Sequence, residues 1–391
     1  MGAARFCFAI PRRFFKLKQN KDHIMKSKLL IIAAALGGLV FNAAAWDYEG
    51  HHAVNELALA SLPTNFPAFV LTPDAKTRIA FLAGEADRWR NVTSTRNGTG
   101  LALGHCSGPD HYLDLEEIKE FDLTPETLPQ FRYVFVENIV KARAAHPERF
   151  PAIDPAKNSD HTRELSGFLP WAINENFQKL QSGFATLAAF EKAGGTAEEI
   201  ANAKQNIIYV MGVMGHFVGD ASQPLHATIY HHGWTTNNNP NRYGTSPTFH
   251  AWIDGGFFKK TGGLDVGKLL PKVLPAEKMA GATAAEGIFR DAVKFVVEAN
   301  ELVEPLYKMD KEGKLSNKGN AGAEGRAFLE GQMLKSAQLL GNIWLTAWLT
   351  APPDTFLEKQ LQERAAVAAT NFPAAKIPPG KELPAVNEKG L

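Results

Sequence analysis

Residues 196–226, TAEEIANAKQNIIYVMGVMGHFVGDASQPLH, read as one buried helix that gathers potential ligands and then stops. Thr196 with Glu199 three positions on forms a capping box behind Gly194 and Gly195, which marks the start. At about 100° per residue, Ile200, Ala203, Ile207, Met211, Met214 and Val218 share one seam, and His216 and Asp220 fall together on roughly the opposite side. That side is not polar: Tyr209, Gly212, Val213 and Phe217 surround the pair, so a carboxylate and an imidazole there are expected to be buried and to need partners. Pro224 is expected to end the helix, with His226 directly after it. Side chains at i and i+4 stack one turn apart, so His216 and Asp220 can reach one metal ion or bridge two. By itself the run fits a structural His–Asp pair followed by a surface histidine equally well.

The whole chain bounds the alternatives. At 391 residues and 45% hydrophobic content it can bury a large core. From Met25, MKSKLLIIAAALGGLVFNAAA has basic residues, an apolar run and a small-residue site ending at Ala45, the pattern of a secretory signal. Residues 1–45 are therefore expected to be removed, with Met25 as an alternative start, leaving a secreted or periplasmic protein that begins at Trp46 and has no membrane anchor. That removal leaves 34 basic against 40 acidic residues, a net of −6, which argues against broad electrostatic binding to duplex DNA. Cys7 leaves with the signal and Cys106 remains alone, so no intrachain disulfide is expected and stability must come from the core or from metals.

Helical spacing dominates the mature chain. A short helix is expected from Asp47 to Leu62, and a second from Thr72-Pro73-Asp74 to about Arg90, with Asp87 near its C-terminal end. Residues 91–110 read as a Gly- and Asn-rich loop; the sequons at Asn91 and Asn97 fit ordinary loop polarity there. Further helices are expected near Glu126 to Ala145, Pro170 to Lys192, Thr283 to Leu302 and Glu324 to Thr350, with polar linkers at 146–162 and 227–249. Beyond Phe372 a Pro-, Lys- and Glu-rich tail has the composition of a loosely ordered segment. Alternation at period two is scarce, so the fold class is all-α: a single multi-helix domain over 46–371 with long loops. No strand-turn-helix phosphate loop and no Gly-x-Ser-x-Gly elbow is present, which removes the commonest nucleotide-binding and serine-hydrolase readings.

Four other places carry candidate ligands: Trp46-Asp-Tyr-Glu-Gly-His51, Ala86-Asp87-Arg-Trp-Arg90, His111-Tyr-Leu-Asp114, and His250-Ala-Trp-Ile-Asp254. Each alone has a plainer reading: His51 a helix-surface residue, Asp87 a partner for Arg90, His111 and His250 satisfied core imidazoles. His105, His231 and His232 read as ordinary histidines, and His52 faces away from His51.

Taken in order, these pieces resemble the trinuclear-zinc phosphodiesterases. That family comprises the single-strand-specific nucleases and 3′-nucleotidases of the fungal secreted and plant bifunctional types and, more distantly, the bacterial zinc-dependent phospholipases C. The resemblance implies three Zn2+ ions. Asp87, His111, His216 and one oxygen of Asp220 would hold the first; the α-amine and carbonyl of Trp46, His51 and the other Asp220 oxygen the second; His226, His250 and Asp254 the third. It implies that a hydroxide shared by the two close zincs attacks phosphorus in line, that the third zinc stabilises the leaving oxygen, and that Arg90 neutralises developing phosphoryl charge. Asp87 and Asp220 thereby count as catalytic as well as metal-binding. Tyr112 matches the position where the family stacks an aromatic on a base, and Asp114 the one that bonds a base edge.

The expected activity is hydrolysis of single-stranded DNA and RNA to 5′-nucleotides, with 3′-nucleotidase activity and no stable protein partner. A phospholipase C acting on lipid head groups is the alternative, favoured by the aromatic loop residues Tyr230, Trp234 and Phe249. A non-catalytic zinc-binding exported protein is the third. The chain departs from the fungal and plant members in lacking disulfides, in a longer segment between His111 and His216, and in the composition of 227–249, and these loops wall the substrate cleft.

Overall fold

The computed structural model describes residues 46–93, 101–236, 238–282 and 285–371; the expected signal at 1–45 and tail at 372–391 lie outside them. In chain order the main helices are α1 (Tyr48–Ser61), α2 (Pro73–Leu82), α3 (Glu85–Thr93), α4 (Leu101–Ser107), α5 (Arg132–Ala145), α6 (Leu169–Ala193) and α7 (Ala197–Ser222). They continue with α8, built from Phe249–Ala251, the π-turn Trp252–Gly256 and Phe257–Lys260, then α9 (Phe289–Asn300), α10 (Val303–Lys311), α11 (Ala323–Thr350) and α12 (Thr355–Asn371). The fold is all-α: among the described residues it is 68% helix with no sheet and one isolated bridge from Leu113 to Gly167.

Helix α7 is the axis. Thr196 Oγ accepts from the Glu199 amide at 3.2 Å and Glu199 returns the bond at 2.7 Å, so the capping box forms as its sequence requires. From Met211 to Ser222 every residue is buried, because α6, α11, α2, α1 and α9 pack around it. A helix enclosed on all sides has no polar face left to dissolve, so anything ionisable in those turns must be served from inside. Tyr209 is the exception to the sequence reading: it is 39% exposed and does not border the His216–Asp220 pair. The helix ends at Ser222, and Pro224 opens a 3-10 turn that carries His226. Gly194, at φ +88°, closes α6 and reverses the chain into α7.

Several element boundaries differ from expectation, each for a local reason. The helix expected over 72–90 is two helices, α2 and α3, broken at Ala83-Gly84. A Cβ on Gly84 would lie 2.7 Å from the Tyr48 ring, so α1 passes too close for any other residue there. Asp87 therefore sits in the first turn of α3 and not in a C-terminal turn. The segment 91–110, expected as a loop, contains α4 and a 3-10 turn, Gly108–His111. Seven residues are too few for periodicity to show, and packing against α3 holds them. Helix α5 starts at Arg132, six residues later than expected, because Pro129 forces Leu128 into extended backbone and Thr124–Thr127 closes a 3-10 turn of its own. Helix α9 starts at Phe289, with Gly287 at φ +59° ahead of it, and the start expected at Thr283 lies outside the described residues. Helices α10 and α12 were not anticipated. Asp354 caps α12 by accepting from the Leu357 amide at 2.9 Å, and Lys192–Glu358 and Arg364–Glu199 tie it to α6 and α7.

Candidate metal centre

The break between α2 and α3 has a direct chemical use. In a continuous helix the Ala83 carbonyl would accept from residue 87; here it accepts from His216 Nδ1–H at 2.7 Å instead. That bond fixes the tautomer of His216 and leaves its Nε2 lone pair facing inward. The same break turns Asp87 toward the imidazole, with Oδ1 3.9 Å from His216 Nε2.

Around Asp220 the ligand atoms crowd together. Its Oδ1 lies 3.3 Å from His51 Nε2, and its Oδ2 lies 3.0 Å from His111 Nδ1 and 3.4 Å from His216 Nε2. His111 Nδ1 is 2.9 Å from His216 Nε2, and the His51 and His216 rings stack at 3.8 Å. One carboxylate thus faces two imidazole sets with its two oxygens. The α7 residue Gly219 makes this approach possible: a Cβ there would lie 2.7 Å from His51 Nδ1.

A third set adjoins these. His226 Nδ1–H donates to the His111 carbonyl at 2.6 Å, so its Nε2 lone pair points at His250 Nε2, 2.9 Å away. His250 Nε2 lies 3.3 Å from Asp254 Oδ2. The π-turn in α8 aligns this pair, and Gln223 Nε2 donates to the other Asp254 oxygen at 2.6 Å. Trp46 is buried with its indole N–H on the Gly219 carbonyl at 3.0 Å, and the next residue, Asp47, donates from its amide to the Asp254 carbonyl at 2.9 Å. The start of the described chain is therefore pinned between α7 and α8.

Three groups of buried ligand atoms result: His51, Asp87 and His216; His111, His216 and Asp220; His226, His250 and Asp254. The third matches the set expected from the sequence. The first two share His216 and redistribute the expected partition, with His51 beside Asp87 as well as beside Asp220. These residues fit divalent cations. Nitrogen ligands at roughly 2.0–2.1 Å from a tetrahedral centre stand about 3.3 Å apart; the separations here run from 2.9 to 3.9 Å. Buried His51 Nε2, His111 Nε2, Asp220 Oδ1 and Asp254 Oδ2 have no hydrogen-bond partner. Each such orphan costs about 1–3 kcal/mol or more unless a cation takes it.

The electrostatics point the same way. Burial pushes His51 down to about 4 and His226 to about 3, and holds His111, His216 and His250 below the ordinary imidazole value. All five are neutral at pH 7, the form that binds metal. Burial raises Asp220 and Asp254 well above the usual carboxylate range. For Asp87 burial acts upward too, but the neighbouring His216 and Arg90 outweigh it and hold the carboxyl below its ordinary value. Arg90 donates to Asp87 Oδ1 at 2.7 Å.

Neither of the two expected substrate contacts is a member of the three groups of ligand atoms. Tyr112 follows His111 in extended backbone, so its side chain turns away and its hydroxyl donates to the Leu165 carbonyl at 3.4 Å. Asp114 is 9% exposed with Oδ1 unpartnered; burial and the nearby Glu117 and Glu116 raise its carboxyl. Other residues emerged only from the structure. Gln223 lies inside the quoted run, between Asp220 and His226, and its position was the available signal. His231 and His232, read as ordinary, pack 4.5 Å from each other and each 5.9 Å from His250. Cys106 is a free, exposed thiol.

No model of a known protein family matches the chain, and no curated protein matches it.

Proposed function

We propose that the chain is an exported zinc-dependent phosphodiesterase that hydrolyses single-stranded DNA and RNA and removes 3′-phosphates from nucleotides. What carries the reading is Asp220, a wholly buried carboxylate with its oxygens facing separate imidazole sets, next to an independent His226–His250–Asp254 group. A donor set of imidazole nitrogen and carboxylate oxygen without thiolate suits zinc. Three such groups, in the chain order of the zinc phosphodiesterases it resembles, support a count of three.

When bound, the ions supply an activated water as nucleophile and Lewis-acid stabilisation of the leaving oxygen. The protein's share is positional and electrostatic. Asp220 spaces the two neighbouring sites, the His51, His111 and His216 rings keep bulk water from them, and Gln223 and the Ala83 carbonyl orient Asp254 and His216. Arg90, held on Asp87 at the partly exposed rim, neutralises charge gathering on the phosphoryl group.

The aromatic residues that favoured a phospholipase are engaged elsewhere. Tyr230 stacks on Trp234 at 4.1 Å, Trp234 meets buried Tyr307 edge-on at 5.4 Å, Tyr307 packs against Phe249 at 4.7 Å, and the Tyr307 hydroxyl donates to the Tyr230 carbonyl. Rings packed inward leave little apolar surface for a lipid, which supports the nucleic acid reading.

The test is metal analysis of the chain beginning at Trp46, with release of nucleotides from denatured DNA measured against release of phosphocholine from phosphatidylcholine. Three zincs and nucleotide release are expected. Full metal content with neither activity would leave only a zinc-binding protein, and phosphocholine release would favour the lipase.

A further inference from the structure

Asn55 is wholly buried on α1, one turn after His51, among the apolar residues Val54, Leu57 and Ala58. An amide side chain placed there loses its water, so its donors need acceptors. Nδ2 donates to the Ile79 carbonyl at 2.8 Å and to the Gly212 carbonyl at 3.0 Å. Two carbonyls can be served only by the NH2 end, which fixes the orientation of the amide. Oδ1 is buried without a hydrogen-bond partner beside Gly215, where a Cβ would overlap it.

The Ile79 carbonyl is open to Asn55 because α2 tightens in its last turn. The Ala83 amide bonds to the Ala80 carbonyl and the Gly84 amide to the Phe81 carbonyl, both at 3.3 Å, where an α-helix would send each one residue further back. Ile79, itself fully buried, thereby loses its helical donor, and Asn55 replaces it. The two anchors are in step with the metal centre. Ala83 lies four residues after Ile79 and His216 four after Gly212, and the Ala83 carbonyl accepts from His216 Nδ1–H at 2.7 Å. One amide thus clamps α2 to α7 a single turn ahead of the contact that sets the His216 tautomer. Gly212 admits the clamp, since a Cβ there would lie 2.5 Å from Leu82 Cβ and 3.0 Å from the Ile79 oxygen.

We infer that Asn55 is a positioning residue of the metal centre: it holds the end of α2 on α7 so that the Ala83 carbonyl meets His216 and keeps that imidazole's Nε2 free for a cation. The inference rests on the metal reading and not on the reaction. Asn55 belongs to none of the three groups of ligand atoms and acts through the Ala83 carbonyl.

The experiment compares the wild-type protein with Asn55→Leu, which nearly keeps the volume and removes both donors. Zinc affinities are read by competition against a chromogenic chelator, and the His216 tautomer by nitrogen-15 NMR of the imidazoles in the metal-free protein. Zinc bound through His216 is expected to weaken about tenfold, the low end of the roughly 10- to 100-fold seen for outer partners of metal ligands. The ion held by His226, His250 and Asp254 is expected to keep its affinity. The His216 proton, confined to Nδ1 in the wild type, is expected to be shared with Nε2 in the variant. A variant that is less stable yet keeps native affinities and the Nδ1 proton overturns the inference, and equal weakening of every ion overturns it too, since Asn55 would then be a core residue only. Where leucine prevents folding, Asn55→Ser, which keeps one donor, is read against the same outcomes. A wild-type protein that binds no zinc sinks the metal reading separately, and the tautomer in the metal-free protein still decides the role of Asn55.

Discussion

Gln223→Leu isolates the part of the centre that lies outside its ligands. Gln223 is fully buried; its amide donates to Asp254 Oδ1 at 2.6 Å and its carbonyl accepts from the Leu225 amide at 2.6 Å. The first bond occupies one carboxylate oxygen and leaves Oδ2 toward His250, so it decides which oxygen is offered to a cation. A hydrogen bond to a charged group contributes about 1.5–3 kcal/mol. At about 1.36 kcal/mol per factor of ten, that is a loss of roughly 10- to 150-fold in affinity, in line with the roughly 10- to 100-fold seen for outer partners of metal ligands. Leucine fills nearly the same space, so the cavity cost is small. The stranded Leu225 N–H lowers the stability of the metal-free protein by a further ~1–3 kcal/mol. Competition against a chromogenic chelator reads the first effect, and denaturant unfolding in excess chelator reads the second. One ion, the one held by His226, His250 and Asp254, is expected to weaken while the others keep their affinity. A variant that loses metal-free stability yet binds every ion as tightly as the native protein would refute the reasoning, leaving Gln223 a packing residue.

Four further outcomes follow from the same geometry. Gly219→Ala places a methyl 2.7 Å from His51 Nδ1 and is expected to displace that imidazole; loss of bound metal beside Asp220, measured by elemental analysis, checks it, and full metal content would contradict the close approach. Metal added to the metal-free protein at pH 5 is expected to release protons, read from the buffer dependence of the binding enthalpy. The imidazoles, pushed down to about 4 and about 3, have none to give, whereas buried Asp220 and Asp254 retain theirs above the ordinary carboxylate range. The same shifts set the pH response of the metal-free fold. Its unfolded state binds more protons at the histidines from about 6.5 down to about 4, so stability falls with acid there. Its native state binds more at the two carboxyls as pH rises past their usual value, so their contribution falls in that direction and opposes the histidines'; a denaturant midpoint that rises as pH falls from 6.5 to 4 would show the histidine shifts to be wrong. Arg90→Ala is expected to lower kcat/KM on single-stranded DNA by about 10²- to 10³-fold with metal retained, and unchanged turnover would remove Arg90 from the chemistry.

Much of the fold was legible because long amphipathic helices announce themselves. Both ends of α7 were marked by residues with a single job, Thr196 with Glu199 and Pro224, and α6 and α11 matched expectation to within a residue or so. Boundaries failed where a short-range signal competed with packing: Gly84 broke a good helical pattern because Tyr48 lies against it, and α4 formed from seven residues with no periodicity of note. The ligand residues were legible for a related reason. An imidazole or carboxylate on an apolar helix face is costly to bury alone, so His216 and Asp220 already demanded partners.

The sequence by itself determined the helical class and the axis at 196–226, since helical period, caps and the cost of buried charge are local properties that a linear string carries; the nine candidate ligands came from the resemblance that the ordered motifs carry. Tertiary structure alone decided how those ligands pair and that the Ala83 carbonyl and Gln223 orient them. Those facts depend on distances between segments remote in the chain, such as the 2.6 Å between Gln223 and Asp254, which only the packing of α7 against its neighbours sets.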